Sequence, residues 1–258
     1  MKNLRSLSVV FSLLTIGMSA PPHQDIKGQH RKIFSPTTAG ITAGDGIVCE
    51  FLFANSASFT GLSDSLNGTL ARANSADFTA PDVPGITTGI YYVSNSAHGT
   101  TDTATMTISP AQPFTAMSCQ AYKNMKVASP LDSGTNNPGN TNTAGTTSTN
   151  PSSGNFQTTV NGDLLISYLI NTSATVPTAA TGTLVDTIPF EGTFPQFFVQ
   201  TTASASSQMN YTSASDTWAM LWATFQNNGS AISLDGGCHS KTDNGSNSLT
   251  TIIVNISC

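Results

Sequence analysis

The chain has 258 residues, only 9% of them charged against about 25% in a typical soluble domain, and a formal net charge of -5. Its nine basic residues are dispersed and densest at Lys27, Arg31 and Lys32, too few for a phosphate-tracking groove. This argues against nucleic-acid binding and against a basic membrane-surface helix, while scarce charge also separates the chain from ordinary disordered sequences.

Lys2 and Arg5 precede an apolar run from Leu7 to Met18, followed by Ser19 and Ala20. That is the plan of a secretory signal, predicted over 1–20, and the run is too short to span a bilayer. An uncleaved anchor or a misassigned start are the alternatives. No later stretch is apolar enough to cross a membrane. Residues 21–29 read as a loose leader, and Arg31–Phe34 as an edge strand ended by Pro36.

Gly46–Phe53 is a strand by pattern, with Ile47, Cys49, Phe51 and Phe53 on one face and Val48, Glu50 and Leu52 on the other. Two apolar faces predict an interior position, with Glu50 a buried exception or near an edge. Asn67-Gly68 between short strand-like pieces predicts a type I′ hairpin turn. Strands follow at Gly89–Val93, Thr103–Ile108 and Phe114–Tyr122. From 125 to 155 the chain turns polar and repetitive, and 134–154 reads as a mobile surface connection or a true linker.

A second half then repeats the plan. Asn161-Gly-Asp163 feeds the strand Gly162–Asn171, as Gly44-Asp-Gly46 feeds the first. Strands are predicted at Gly182–Ile188, Pro195–Thr202, Gln208–Thr212 and Thr217–Gln226. Ile90–Val93 matches Gln196–Val199, and Ala116–Asn124 aligns without a gap on Ala219–Asn227. The fold class that follows is all-β: a two-layer antiparallel β-sandwich, jelly-roll-like, with a pseudo-twofold internal repeat. The sandwich would run over 21–226, with related halves at about 30–124 and 156–226 joined by 125–155. The tail, 227–258, adds a strand at Leu249–Ile256 or opens a further copy.

The run of Leu62-Ser-Asp-Ser-Leu-Asn-Gly-Thr69, Ile90–Gly99, Gln120-Ala-Tyr-Lys-Asn124 and Ser129-Pro-Leu-Asp132 resembles a family of uncharacterised β-sandwich domains. These belong to predicted secreted bacterial proteins and phage-associated chains. The likeness covers roughly 42–226 and implies a sandwich fold in an extracellular setting. Members commonly carry an acidic residue and a glycine where this chain has Ala121 and Asn124, so no site is carried over.

Chemistry has few footholds. Cys49, Cys119, Cys238 and Cys258 allow three disulfide connectivities or buried free thiols, and none forms a CxxC pair. His23, His30, His98 and His239 are few and loop-placed, and no GxSxG elbow, HExxH or EF-hand loop occurs. Asp77 and Asp82 flank a loop that could hold Ca²⁺ but reads more simply as solvated. Glu50, Asp186 and Glu191 are the carboxylates available to a glycosidase, and nothing pairs them.

Tyr91, Tyr92, Phe190, Phe194 and Tyr211 could offer flat faces to sugars, though core packing is the stronger reading for each; Trp218 and Trp222 read as core. The sequons at Asn67, Asn171, Asn210, Asn228, Asn244 and Asn255 matter only in a glycosylating host. Asp45 and Asp163 are matched acids, each in the turn before a strand, where Asp is favoured for backbone hydrogen bonding.

The sequence therefore assigns no catalytic, cofactor or metal-binding residue and predicts no cofactor. The function expected is a secreted, non-enzymatic surface, structural or adhesive protein, located outside the cell or on its surface. A carbohydrate-binding module, with a glycan or cell-surface polymer as partner, is the alternative, as is a phage virion or tail appendage component.

Overall fold

The computed structural model describes residues 41–54, 57–80, 83, 85–97, 99, 102–142, 147–173, 175–179, 181–245 and 247–256. The predicted signal at 1–20, the leader, the strand expected at Arg31–Phe34, and His23, His30, His98, Asp82 and Cys258 lie outside the described residues.

The first half holds β1 (Gly46–Ala54), β2 (Ser58–Asp64), β3 (Gly68–Thr69), β4 (Ala71–Arg72), β5 (Phe78–Ala80), β6 (Ile86–Val93), β7 (Asp102–Gln112) and β8 (Ala116–Lys123). Then come β9 (Gly139–Asn142), β10 (Asp163–Asn171), β11 (Thr178–Ala179), β12 (Thr183–Leu184), a 3-10 turn (Pro189–Glu191) and β13 (Thr193–Gln200). The chain finishes with β14 (Tyr211–Thr212), β15 (Trp218–Phe225), β16 (Ser233–Asp243) and β17 (Leu249–Ile256).

All pairings are antiparallel among the described residues, and the strands form separate sheets rather than a closed barrel. A central sheet has the order β16-β8-β1-β6-β4, with β5 also on β6; a second has β12-β13-β10-β15-β9; an outer one has β17-β7-β2-β3. β11 and β14 make a small ribbon.

The two-faced apolar pattern of β1 explains the stacking. Ile47, Cys49, Phe51 and Phe53 pack with Leu62, Met106, Ile108, Ile252 and Val254 of the outer sheet. Phe51 stacks on Phe59 at a centroid distance of 4.8 Å. On the opposite face, Val48 meets Leu164 and Ile166, and Leu52 meets Tyr168 and Ile170 of the second sheet. Each large side chain removed from water this way contributes about 1.5–3 kcal/mol. Three sheets are therefore stacked, one more than the two layers expected, because β1 has too much apolar surface on either face to leave one wet.

The outer sheet buries only one face. Ala104, Met106 and Ile108 of β7 point inward, while Thr103, Thr105 and Thr107 lie on the other side, where Thr103 Oγ1 donates to Asn255 Oδ1 at 3.1 Å. Such alternation is what an antiparallel sheet with one solvated face requires. Cys49 and Cys119 face each other in the β1–β8 register, Cα atoms 4.1 Å apart, and are disulfide-bonded. Cys238 is also disulfide-bonded.

Two details depart from the sequence reading. Ser63 pairs with Thr69 and Asp64 with Gly68, so the hairpin loop is 65–67 and only Gly68 takes positive φ. Asp64 Oδ1 fixes this longer loop by accepting from the amides of Leu66 (2.9 Å) and Asn67 (2.5 Å). The stretch read as a mobile connection is built into the fold over its described residues. Leu131 bridges Phe225, β9 pairs with β15, and Ser148, Ser152 and Phe156 bridge Asp216, Asn210 and Ser207. Backbone hydrogen bonds hold it where apolar side chains are lacking, and it covers Leu165 and Trp222 on the far side of the second sheet.

The chain also crosses over twice. Beyond β8, Lys126 N and Asp132 N donate to Gln226 O and Thr224 O, next to β15. Beyond β15, Ser233 and Leu234 pair with Lys123 and Tyr122 of β8. Each half thus lends a segment to the edge of the other's principal sheet.

Candidate functional site

Glu50 and Asp186 are brought together by the fold. Glu50 lies opposite Ser118 in the β1–β8 register, and Ser118 Oγ donates to its Oε2 at 3.1 Å. Gln120, two residues along β8 on the same face, has its amide oxygen 3.2 Å from both Glu50 oxygens and its Nε2 3.4 Å from Asp186 Oδ2. Asp186, at φ +47° between β12 and the 3-10 turn, reaches in from the second sheet, and its Oδ1 is 2.8 Å from His239 Nδ1. His239 pairs with Gln120 across β8 and β16. The result is a line of polar groups, Glu50–Gln120–Asp186–His239, between two sheets.

That line needs a proton. An amide oxygen and an ionised carboxylate are both acceptors and cannot bond to each other. Turning the amide over satisfies Glu50 but sets the oxygen against Asp186. A protonated Glu50 donating to Gln120 resolves the conflict, with the amide nitrogen then serving Asp186. Burial pushes the Glu50 carboxyl up to about 8, with Asp186 adding repulsion and the bond from Ser118 opposing the rise. The same burial, with Glu50 and Asp186 nearby, pushes the Tyr122 hydroxyl well up.

Glu191 stands apart from this line. Burial and the charge of Asp243 push it up to about 8, and its Oε1 has no hydrogen-bond partner among the described atoms. Lys241 Nζ donates to Thr187 O in the same region. Glu50, Ser118 and Gln120 are fully buried, so that end of the line has the chemistry of a proton-holding core network.

The aromatic residues considered for sugar stacking do not form an open platform. Tyr91, Phe194, Tyr211 and Trp218 are buried, and Tyr92 is half-buried edge-on against Phe225 at 5.3 Å. Phe190 lies in the 3-10 turn. Tyr91 donates to Asp77 Oδ1 at 3.1 Å, and Arg72 Nη1 is 3.7 Å from Asp77 Oδ2. Asp77 is thereby engaged by a hydroxyl and a cation, a poor arrangement for holding Ca²⁺. Among the described residues, no group of three or more His, Cys, Asp or Glu is gathered as for a metal ion, and no helix is long and apolar enough to cross a membrane.

An exposed concavity lies elsewhere: a shallow groove of about 460 Å³ where β9 and residues 153–155 border Trp222. Asn136, Asn140 and Asn155 bring amides to it, Thr141 and Ser153 bring hydroxyls, and among the described residues no charged one lines it. Trp222 Nε1 donates to Asn136 O at 3.0 Å, and Phe156 stacks on the indole at 5.9 Å. A Cβ on Gly139 would fall 2.3 Å from Trp222 Cζ2, so the close approach of β9 to the ring requires glycine there. Sequence reasoning missed this groove, because its Asn and Ser residues lay in the stretch taken for a connection. The only available signal was the Asn-Pro-Gly-Asn run of 137–140, which the fold lays against Trp222.

Comparisons with family models, curated proteins and solved structures found no match for this chain.

Proposed function

We propose that the protein is a secreted, non-enzymatic surface, structural or adhesive protein. The observation that carries this reading is the separation of chemistry from surface: the perturbed carboxyls lie in the core, while the outer sheet turns a Thr-, Ser- and Asn-rich face outward. A disulfide-bonded Cys49–Cys119 pair fits an oxidising setting, as does the resemblance to sandwich domains of secreted and phage-associated chains. Fractionation of the native source, with thiol alkylation before reduction, tests it. The expected result is the oxidised protein outside the cytoplasm; a reduced, cytosolic protein overturns the reading.

The groove beside Trp222 favours a second reading, the binding of a neutral saccharide. Amides and hydroxyls suit sugar hydroxyls, and an uncharged lining suits an uncharged ligand. A glycan array with folded protein, repeated for Asn140→Ala, would show binding that the variant loses. Absence of binding to every neutral glycan ends this reading and leaves the first intact.

We also infer that the facing central and second sheets form a sandwich core, jelly-roll-like in its paired antiparallel sheets, derived from one duplicated unit. With Val48 laid on Ile166, the registers match Gln120 to Ala223, as in the sequence alignment, and Tyr92 to Phe197, one residue away from it. The same superposition equates the Leu234–Tyr122 and Leu131–Phe225 pairings, and hence Asp235 with Asp132.

A further inference from the structure

We propose that the two crossed segments are each latched by a pair of aspartic acids sharing one proton, Asp45 with Asp235 and Asp163 with Asp132, so that acid tightens the hold between the halves and alkali loosens it. The inference goes beyond the proposed function and stands without the duplication, because it rests on which groups meet.

Asp45 and Asp163 each close the turn before a principal strand: Asp45 Oδ2 accepts from Thr42 N at 3.2 Å and Asp163 Oδ2 from Val160 N at 3.3 Å. Each is then met by an aspartate carried across from the other half. Asp132, fully buried, arrives on the segment that runs from β8 to the edge of β15. Asp235, in β16, arrives on the segment that runs from β15 back to β8. All four carboxyls are buried.

A hydrogen bond between two carboxyl groups requires that one keep its proton, since two carboxylates are both acceptors. In the second pair the owner of that proton is identifiable. Asp132 is already served by three donors: Gly134 N (2.9 Å) and Thr159 Oγ1 (2.8 Å) on Oδ1, and Thr159 N (2.5 Å) on Oδ2. Asp163 Oδ1 has no donor at all, despite complete burial, so it is the oxygen that carries the hydrogen and gives it to Asp132. In the first pair Asp235 is taken by Lys123 Nζ at 2.6 Å, leaving Asp45 to hold the proton.

The charged groups facing the first pair are Lys123, and those facing the second are Lys126; both oppose protonation of Asp45 and Asp163 without cancelling the effect of burial. Burial first, then the partner carboxylate, raises Asp45 to about 6 and Asp163 to about 8. Burial also pushes Asp132 upward, but the bonds from Asp163 and Thr159 carry it below the ordinary carboxylate value. Each pair therefore has an acid and a carboxylate over a range of pH. When the acid is lost, two negative charges face each other in a buried contact between halves.

The test uses the full chain. Carboxyl ¹³C shifts of Asp-labelled protein should show two aspartates titrating near 6 and near 8, one vanishing in Asp45→Asn and the other in Asp163→Asn. Hydrogen-exchange protection factors, corrected for intrinsic rate, should fall about tenfold at Lys126 and Asp132 as the pH rises from about 5 to about 9, one pKa unit of lost coupling. Asp163→Asn, which keeps a donor without a charge, should remove the part of that fall that exceeds the fall at core amides of β1 and β10. Where a variant does not fold, the wild-type ¹³C titration decides alone. Aspartates that all titrate in the ordinary carboxylate range, or a loss of protection that Asp163→Asn leaves unchanged, overturn the proposal.

Discussion

Replacing Glu50 by glutamine tests the proton assigned to the Glu50–Gln120–Asp186 line. The substituted amide retains an oxygen for Ser118 and supplies the N–H that a protonated Glu50 gives to Gln120, so the variant is nearly isosteric with the acid form. The folded-state value, about 8, lies above the ordinary 4.5. Stability from this group is therefore fully present below 4.5 and is lost as pH rises towards 8, where the folded protein must also release the proton. At about 1.4 kcal/mol per pKa unit the ceiling is on the order of 5 kcal/mol, and relaxation of the core brings the expected loss to about 2–3 kcal/mol. Urea unfolding followed by the fluorescence of Trp218 and Trp222 measures it. Wild type should lose that amount between about pH 5 and about pH 9, beyond whatever Glu191 and the aspartate pairs contribute, and Glu50→Gln should lose correspondingly less. At about pH 5 the two proteins should agree within about 1 kcal/mol. An unchanged pH slope in Glu50→Gln, or a variant strongly destabilised at acid pH, would refute the assignment.

Other outcomes follow from single contacts. Cys49→Ala with Cys119→Ala opens a loop spanning a sequence separation of 70 and should lower stability by about 4 kcal/mol on the chain-entropy model, read as a drop in urea midpoint under non-reducing conditions. Gly192→Ala brings a Cβ to 2.1 Å from Asn171 O at φ +65°, so thermal unfolding should occur at lower temperature, by a cost of at least about 2 kcal/mol. Gly139→Ala should displace the Trp222 ring and change its near-ultraviolet circular dichroism while leaving Trp218 in place. Asp64→Ala removes the acceptor of two loop amides and should cost about 1–2 kcal/mol, with faster exchange at Leu66 and Asn67.

The strands with the strongest patterns were legible without coordinates. β1, β10, β8 and β15 carry apolar residues on both faces, and the structure buries nearly every position in them. β17 has the predicted bounds, Leu249–Ile256, because Ile252, Val254 and Ile256 alternate inward along its length from Thr251 on. β16 was not legible: Ser233–Asp243 has no alternation, and its register shifts between Leu234 and His239, so no single period runs through it. Nor could composition reveal that the polar stretch after β8 folds, because its partners are backbone groups of β15 and of 207–216, distant in sequence.

Sequence alone determined the all-β class, the interior position of β1, and the turn role of Asp45 and Asp163. These are local matters, set by side-chain period and by the hydrogen-bonding reach of a short acidic side chain. Only the tertiary structure decided that three sheets stack, that the halves exchange segments, and that Glu50 meets Asp186 while Asp163 meets Asp132. A buried carboxyl takes its charge from what packs against it, and in this protein those neighbours, Ser118 and Asp186 for Glu50 and Asp132 for Asp163, are distant in the chain.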